Sequence, residues 1–170
     1  AAVSYYTEFS NAAKPFYTWN RSLPNSQSLF LSGDLGIYFG FSSEAELLSL
    51  KNPNLNFDVA PFPQSRTADR TTTFGKMVGL ALIKNSKNIA AAYSVIQDLS
   101  STNMEKVFSA AVKIPPARRD LLGKPAGDAR SPAFYNGALS AKAWLDPNQS
   151  ESAKTFQEMV ESITSGRSHA

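Results

Sequence analysis

Helical and strand-like apolar patterns alternate along this sequence, and the alternation limits the folds open to it. Helical spacing is clearest in residues 88–99, 102–111 and 150–163. Between helical segments lie three strand candidates, at residues 35–39, 57–60 and 72–83. Three strands are too few for a sheet that closes on itself. The sequence therefore predicts an α/β fold in which helices dominate over a few strands.

Local signals predict several helix boundaries. A first amphipathic helix is predicted to span residues 2–13. Gly33 is suited to a left-handed cap and is expected to end a second helix. Ser43 and Glu46 have the spacing of a capping box, which predicts a helix start at that point. A further helix is predicted to run from residue 131 towards residue 144.

The sequence offers little of the chemistry that enzymes use. It contains no cysteine, which excludes disulfides, thiolate metal sites and cysteine nucleophiles. The one histidine, His169, lies one residue from the end of the sequence, where a catalytic triad is not expected. Carboxylates are scattered, and no glycine-rich phosphate loop, HExxH helix or EF-hand loop occurs. We therefore predict no catalytic residues, no metal site and no cofactor, and a protein that is not an enzyme.

Charge and hydropathy argue against a nucleic-acid partner and against a membrane span. The net charge of +3 comes from 17 basic and 14 acidic residues without a run of five like charges, so no nucleic-acid partner is predicted. The most apolar stretch, residues 77–83, has strand length rather than the roughly 18 residues of a membrane span.

The first residues lack signal-peptide features, which predicts either a cytosolic protein or one whose start is missing here.

Aromatic residues outside the predicted helix faces are the best candidates for function. Five of them lie beside polar residues, namely Trp19, Tyr38, Phe41, Phe74 and Trp144. Aromatic rings stack on sugar rings and other flat apolar surfaces while neighbouring polar groups orient the ligand. This pattern favours small-molecule capture, and burial in the core is the alternative for each residue.

Several short motifs occur in a particular order along nearly the whole chain. They are residues 30–40, 56–63, 74–83 and 86–88, the break at Ser101, residues 114–118, Trp144 and residues 165–167. Read in this order, they resemble the C-terminal part of the family 1 extracellular solute-binding proteins of ABC importers, the maltose-binding-protein-like group. The order of the motifs carries this resemblance as much as any single motif does.

The resemblance implies a periplasmic-binding-protein-like type II fold, of which the chain would carry the C-terminal portion. Residues 1–71 would belong to the second lobe, residues 72–112 would form a crossover strand and helices of the first lobe, and residues 113–170 would return to the second lobe. Family members run to about twice this length, which would account for the missing signal sequence and most of the first lobe. The implied location is extracytoplasmic, in the periplasm or on the outer face of the cell membrane.

The resemblance also implies a function and a set of site residues. The protein would bind a small-molecule ligand in a cleft between its lobes and deliver it to an ABC permease. A carbohydrate is one candidate ligand, although the turn lacks the Gly-Pro-Trp of sugar binders and carries Phe41 instead. The expected ligand-binding residues are Trp19, Tyr38, Gly40, Phe41, Ser42, Phe74, Gly75, Lys76 and Trp144.

Other interpretations of the sequence remain open. One is a non-catalytic interaction domain that shares the fold and buries its aromatic residues as core. Another is a hydrolase or transferase, which a closely spaced carboxylate pair in a pocket would support. If the first lobe is missing, residues 72–83 and the helix after Asn88 would lack partners, and self-association of the truncated chain is expected.

Overall fold

Helices dominate the structure, a computed structural model that describes residues 2–125 and 128–169. Helices make up 46% of it, and two strands of two residues each occur in that part of the chain. The elements are α1 Ala2–Glu8, α2 Ser26–Ser32, α3 Ser42–Lys51, β1 Thr73–Phe74, α4 Ile89–Leu99, α5 Thr102–Val112, α6 Arg119–Leu122, α7 Ser131–Ser140, β2 Ala141–Lys142 and α8 Gln149–Thr164. These proportions confirm the predicted predominance of helices over a few strands. The type II binding-protein fold stays a prediction.

The chain divides into two compact units. One comprises Ala1–Leu29 together with Trp144–Ala170, and the other comprises Phe30–Ala143. We call them the terminal unit and the central unit. Neither division point coincides with the lobe boundaries that the sequence resemblance implies, at residues 71 and 112, and those boundaries stay a prediction.

Helices α1 and α8 pack together in the terminal unit. Beside them, Phe9 makes edge contacts with Tyr5 on α1 and with Phe16, at centroid distances of 5.3 and 5.6 Å. An ion pair between Arg21 and Glu161, 3.3 Å apart, adds a contact to α8. Aromatic side chains therefore supply much of the packing in this unit.

Helix α1 ends five residues earlier than the sequence predicts. The Ser10 hydroxyl donates to the carbonyl of Thr7 at 2.8 Å, and the Asn11 side chain accepts from the amide of Ala13 at 3.0 Å. Such local side-chain bonds offer the backbone an alternative to helical hydrogen bonds. The predicted end at residue 13 is therefore wrong, and the helix ends at Glu8.

A small set of buried side chains forms the core of the central unit. Leu48, Leu122 and Tyr135 are its buried large apolar residues, and they come from α3, α6 and α7. Many other large apolar side chains of this unit stay exposed. The core is therefore thin, and polar contacts between segments contribute correspondingly more to the packing.

Arg130 contacts several segments of the central unit. Its guanidinium donates to the Ser49 hydroxyl on α3 at 3.0 Å and to the Asp128 carboxylate at 2.6 Å. It also lies over the Phe57 ring, 5.0 Å from the centroid. Charge-assisted hydrogen bonds and a cation–π contact together hold three separate segments around one side chain.

The strand predictions are mostly wrong. Residues 35–39 and 57–60 form no strand, and the predicted strand at 72–83 is reduced to β1. The helix predicted to run from residue 131 towards residue 144 ends at Ser140, and β2 follows directly. A segment with strand-like composition forms a strand only where another segment pairs with it through hydrogen bonds. Of the three predicted strands, only the one that contains β1 has such a partner, β2.

Strands β1 and β2 pair in parallel, with Thr73 opposite Ala141 and Phe74 opposite Lys142. The Thr73 hydroxyl donates to the carbonyl of Gly137 on α7 at 2.9 Å. A Cβ added to Gly75 would lie 2.8 Å from the Cβ of Ala141, so glycine allows the two segments to approach this closely.

Gly33 has a φ of +85°, which confirms the predicted left-handed end of α2.

We expect Gly75→Ala to lower the free energy of unfolding by about 1–3 kcal/mol, because the new methyl group overlaps Ala141. Gly79→Ala is the matched control, since no atom lies within 4 Å of its added Cβ and its φ is not positive. Urea unfolding of both variants measures the difference. Equal stabilities would contradict the close approach of β1 and β2.

The Arg130 guanidinium, by hydrogen bonding, holds the pKa of Asp128 below its ordinary value of 3.8. A carboxyl with a lowered folded-state pKa contributes stability that is complete above its unfolded pKa and is lost as pH falls through the folded value. We expect Asp128→Asn to remove this dependence below roughly pH 4, with an effect under about 1 kcal/mol because the group is exposed. In an Arg130→Met background the same substitution should leave the pH profile of urea unfolding unchanged.

Candidate functional site

Two phenylalanine rings from distant parts of the central unit meet at its surface. The centroids of Phe41 and Phe74 are 6.1 Å apart, and the rings are inclined by 58°. Phe41 is 38% exposed and Phe74 is 56% exposed, so neither residue is buried in the core. The ammonium group of Lys76 lies over the Phe41 ring, 4.9 Å from the centroid. We call Tyr38, Phe41, Glu44, Phe74 and Lys76 the aromatic cluster.

Glu44 fixes the turn that presents Phe41. One of its carboxylate oxygens accepts from the amide of Phe41 at 2.6 Å, and the other accepts from the hydroxyl of Tyr38 at 2.8 Å. Phe41 is the N-cap residue of α3, and Glu44 is the third residue of that helix. A carboxylate at this position satisfies a backbone amide that the helix leaves free. The helix start therefore also orients the site.

The capping prediction at this helix was wrong in its register. The sequence predicts a box formed by Ser43 and Glu46, whereas the structure uses Phe41 and Glu44. Glu46 instead pairs with Lys113, with 2.6 Å between the ammonium and the carboxylate. The two glutamates are two residues apart, and only the nearer one can reach back to the start of the helix.

Gly40 allows the turn to close. A Cβ added there would lie 2.7 Å from the Tyr38 ring and 2.8 Å from the Glu44 carboxylate. Tyr38 in turn stacks on Phe30, with centroids 5.5 Å apart and rings inclined by 29°. The arrangement gives Gly40 a packing role beside the aromatic cluster, where the sequence resemblance implied a ligand contact.

The β1–β2 pair positions the other half of the aromatic cluster. Phe74 is the last residue of β1, and the amide of Gly75 donates to the carbonyl of Lys142 at 3.0 Å. Because Phe74 and Lys142 are opposite each other in a parallel ladder, their side chains project from the same face. Lys142 therefore lies on the cluster's side of the sheet.

The structure brings most of the expected site residues into one unit. Seven of them lie in the central unit, namely Tyr38, Gly40, Phe41, Ser42, Phe74, Gly75 and Lys76. Trp19 and Trp144 belong to the terminal unit, where Trp19 contacts Tyr6 and Trp144 contacts Phe156, each at a centroid distance of 6.1 Å.

Sequence reasoning missed Glu44 and Lys142. The three-residue spacing from Phe41 to Glu44 could have identified Glu44, because the third residue of a helix is where a carboxylate reaches the N-cap amide. No local signal identifies Lys142, since its place beside Phe74 depends on pairing between residues far apart in sequence.

A polar cleft of about 410 Å³ lies in the terminal unit. Its lining consists of Ser4, Thr7, Glu8, Ser10, Asn11, Ala12, Ile163 and Thr164. The Thr7 hydroxyl is already bonded to the carbonyls of Val3 and Ser4, and the Ser10 hydroxyl is bonded to that of Thr7. Two of the lining hydroxyls are therefore already bonded within the unit, and the aromatic cluster, with its exposed rings, is the candidate site.

Within residues 2–125 and 128–169, no group of three or more His, Asp or Glu side chains is placed to hold a metal ion. No helix in this part of the chain is both long and apolar enough to span a membrane.

No protein-family model matches the chain, and no curated protein matches it. Membership of the solute-binding family therefore stays a prediction that depends on the order of the motifs in the sequence.

We expect Glu44→Ala to lower the free energy of unfolding by about 1–2 kcal/mol, because it frees the Phe41 amide and the Tyr38 hydroxyl. Glu46→Ala, two residues further along the same helix, is the control. It removes only a partly exposed ion pair with Lys113 and should cost less than about 1 kcal/mol. Urea unfolding measures both, and an equal or larger effect of Glu46→Ala would argue against the role of Glu44.

Proposed function

We propose that this chain is the solute-binding component of an ABC import system and that the aromatic cluster contacts the captured ligand. The observation that carries the proposal is the meeting of two exposed rings, Phe41 and Phe74, with Lys76 at a braced turn. Small-molecule sites are lined mainly by apolar and aromatic side chains, with a few polar groups that orient the ligand. A carbohydrate is one candidate ligand, because aromatic faces stack on sugar rings.

The order of the sequence motifs supports the same function. In proteins of that type, ligand contacts both lobes and favours the closed state by its differential affinity, and the closed form docks on a permease. The proposal therefore assigns to this chain one wall of the cleft, an extracytoplasmic location and an ABC permease as partner. It requires no chemistry on the ligand, so no catalytic residue is assigned.

The bracing of the turn bears on how well such a site would bind. Glu44, Gly40 and the stacked ring of Tyr38 fix the backbone that carries Phe41 before any ligand arrives. A site that is already ordered loses less conformational entropy on binding than one that must be ordered by its ligand. Preorganisation of this kind would raise the affinity of the turn for a ligand.

A thermal-shift screen of the chain against mono- and oligosaccharides, amino acids and peptides tests the proposal. A ligand present at 100 times its dissociation constant should stabilise the folded state by about 2.7 kcal/mol. For any compound that binds, Phe74→Ala should weaken the affinity about three- to tenfold through loss of ring contact. Phe62→Ala is the control, because Phe62 is an exposed ring that contacts Phe39 rather than the aromatic cluster.

A different observation favours an interaction domain, although the exposed rings of Phe41 and Phe74 do not fit the burial of aromatic residues that this alternative expects. Residues 77–83 form an apolar run at the surface, in which Met77 is 80% exposed and Val78 is 95% exposed. Large exposed apolar surfaces are typical of protein contacts. If no compound shifts the unfolding temperature, this alternative replaces the solute-binding proposal.

The self-association expected from the sequence is checked by sedimentation velocity over a range of concentrations, where a compact monomer throughout would contradict it.

A further inference from the structure

Two lysines flank the exposed rings of the aromatic cluster. The Lys76 ammonium lies 4.9 Å from the centre of the Phe41 ring. Lys142 stands opposite Phe74 in the β1–β2 ladder, and its side chain projects from the same face as that ring. Two positive charges therefore border a surface whose centre is apolar.

Neither lysine is neutralised by the part of the chain that the structure describes. No carboxylate within residues 2–125 and 128–169 lies within 4.0 Å of the ammonium of Lys76 or of Lys142. The acidic member of the aromatic cluster, Glu44, already accepts hydrogen bonds at both oxygens, from the Phe41 amide and the Tyr38 hydroxyl. Both of its oxygens therefore already have hydrogen-bond donors within the turn, and neither forms an ion pair with a lysine in the described part of the chain.

The two rings differ in what they offer a ligand. The face of Phe41 carries the Lys76 ammonium, whereas Phe74 is the more exposed ring. A flat apolar ligand surface would therefore stack mainly on Phe74. A group bonded to that surface would extend towards the ammonium groups of Lys76 and Lys142.

We infer that the ligand of this site is a ring compound that carries a carboxylate. The inference rests on the proposed solute-binding function and adds a charge requirement to it. A carboxylate accepts charge-assisted hydrogen bonds from ammonium groups, while the ring covers the apolar centre of the cluster. Acidic sugars and aromatic carboxylic acids share this chemistry.

Two matched pairs of compounds test the charge requirement. Methyl glucuronide and methyl glucoside have the same sugar ring and differ by the carboxylate, as do benzoate and benzyl alcohol for an aromatic ring. NMR titration of the full chain measures the affinity for each compound. In at least one pair we expect the acid to bind about three- to tenfold more tightly than its neutral partner, with the gap shrinking as salt rises to about 0.5 M.

Lysine variants show which charges are responsible. Lys76→Gln and Lys142→Gln should each weaken binding of the acid about two- to fivefold more than they weaken binding of the neutral partner. Lys87→Gln is the matched control, because Lys87 is an exposed lysine of the same unit outside the aromatic cluster. The pair of compounds that shows the effect identifies the ring chemistry as sugar or aromatic.

The outcomes separate this inference from the function on which it rests. If neutral compounds bind as tightly as their acids, or if both lysine variants leave the gap intact, the charge requirement is overturned and solute binding stands. The same conclusion follows if compounds of the broad screen bind and neither acid does. If nothing binds at all, both proposals fail together.

Discussion

The carboxylate of Glu44 is the contact on which the arrangement of the aromatic cluster depends. It holds the backbone of Phe41 with one oxygen and the hydroxyl of Tyr38 with the other, so a single side chain sets both the start of α3 and the orientation of the turn before it. Gly40 must lack a side chain for these groups to come so close. The same hydrogen bonds thus form a helix cap and orient the candidate binding surface.

The sequence identified local features better than pairing between distant segments. The left-handed glycine at Gly33 and most helices follow from signals within a few residues, and the structure contains them. The strand predictions failed because apolar composition does not determine whether a hydrogen-bonded neighbour exists. Residues 57–60 have the composition of a strand, yet no strand forms there. Pairing of β1 with β2 joins residues far apart in sequence, and no local pattern could predict it.

The same distinction applies to the candidate site. Phe41 and Phe74 could be singled out because they are aromatic residues outside helical apolar faces, and they do come together. Trp19 and Trp144 were chosen on the same grounds but lie in the other compact unit. Residue type singles out candidates for ligand contact, whereas their grouping in space depends on long-range packing. Glu44 is an intermediate case. Its three-residue spacing from Phe41 is visible in the sequence, but Glu46 has the same spacing from Ser43, and the sequence does not show which of the two glutamates caps the helix.

The brevity of the β1–β2 ladder has a consequence for motion. Each strand has two residues, so few hydrogen bonds hold the ladder closed. Segments held in this way open locally at a lower free energy than the helices around them. Phe74 would then leave Phe41 without unfolding of α3, and amide hydrogen exchange would be faster at Gly75 than within that helix. A ligand that bridges the two rings would slow this exchange by binding the closed ladder.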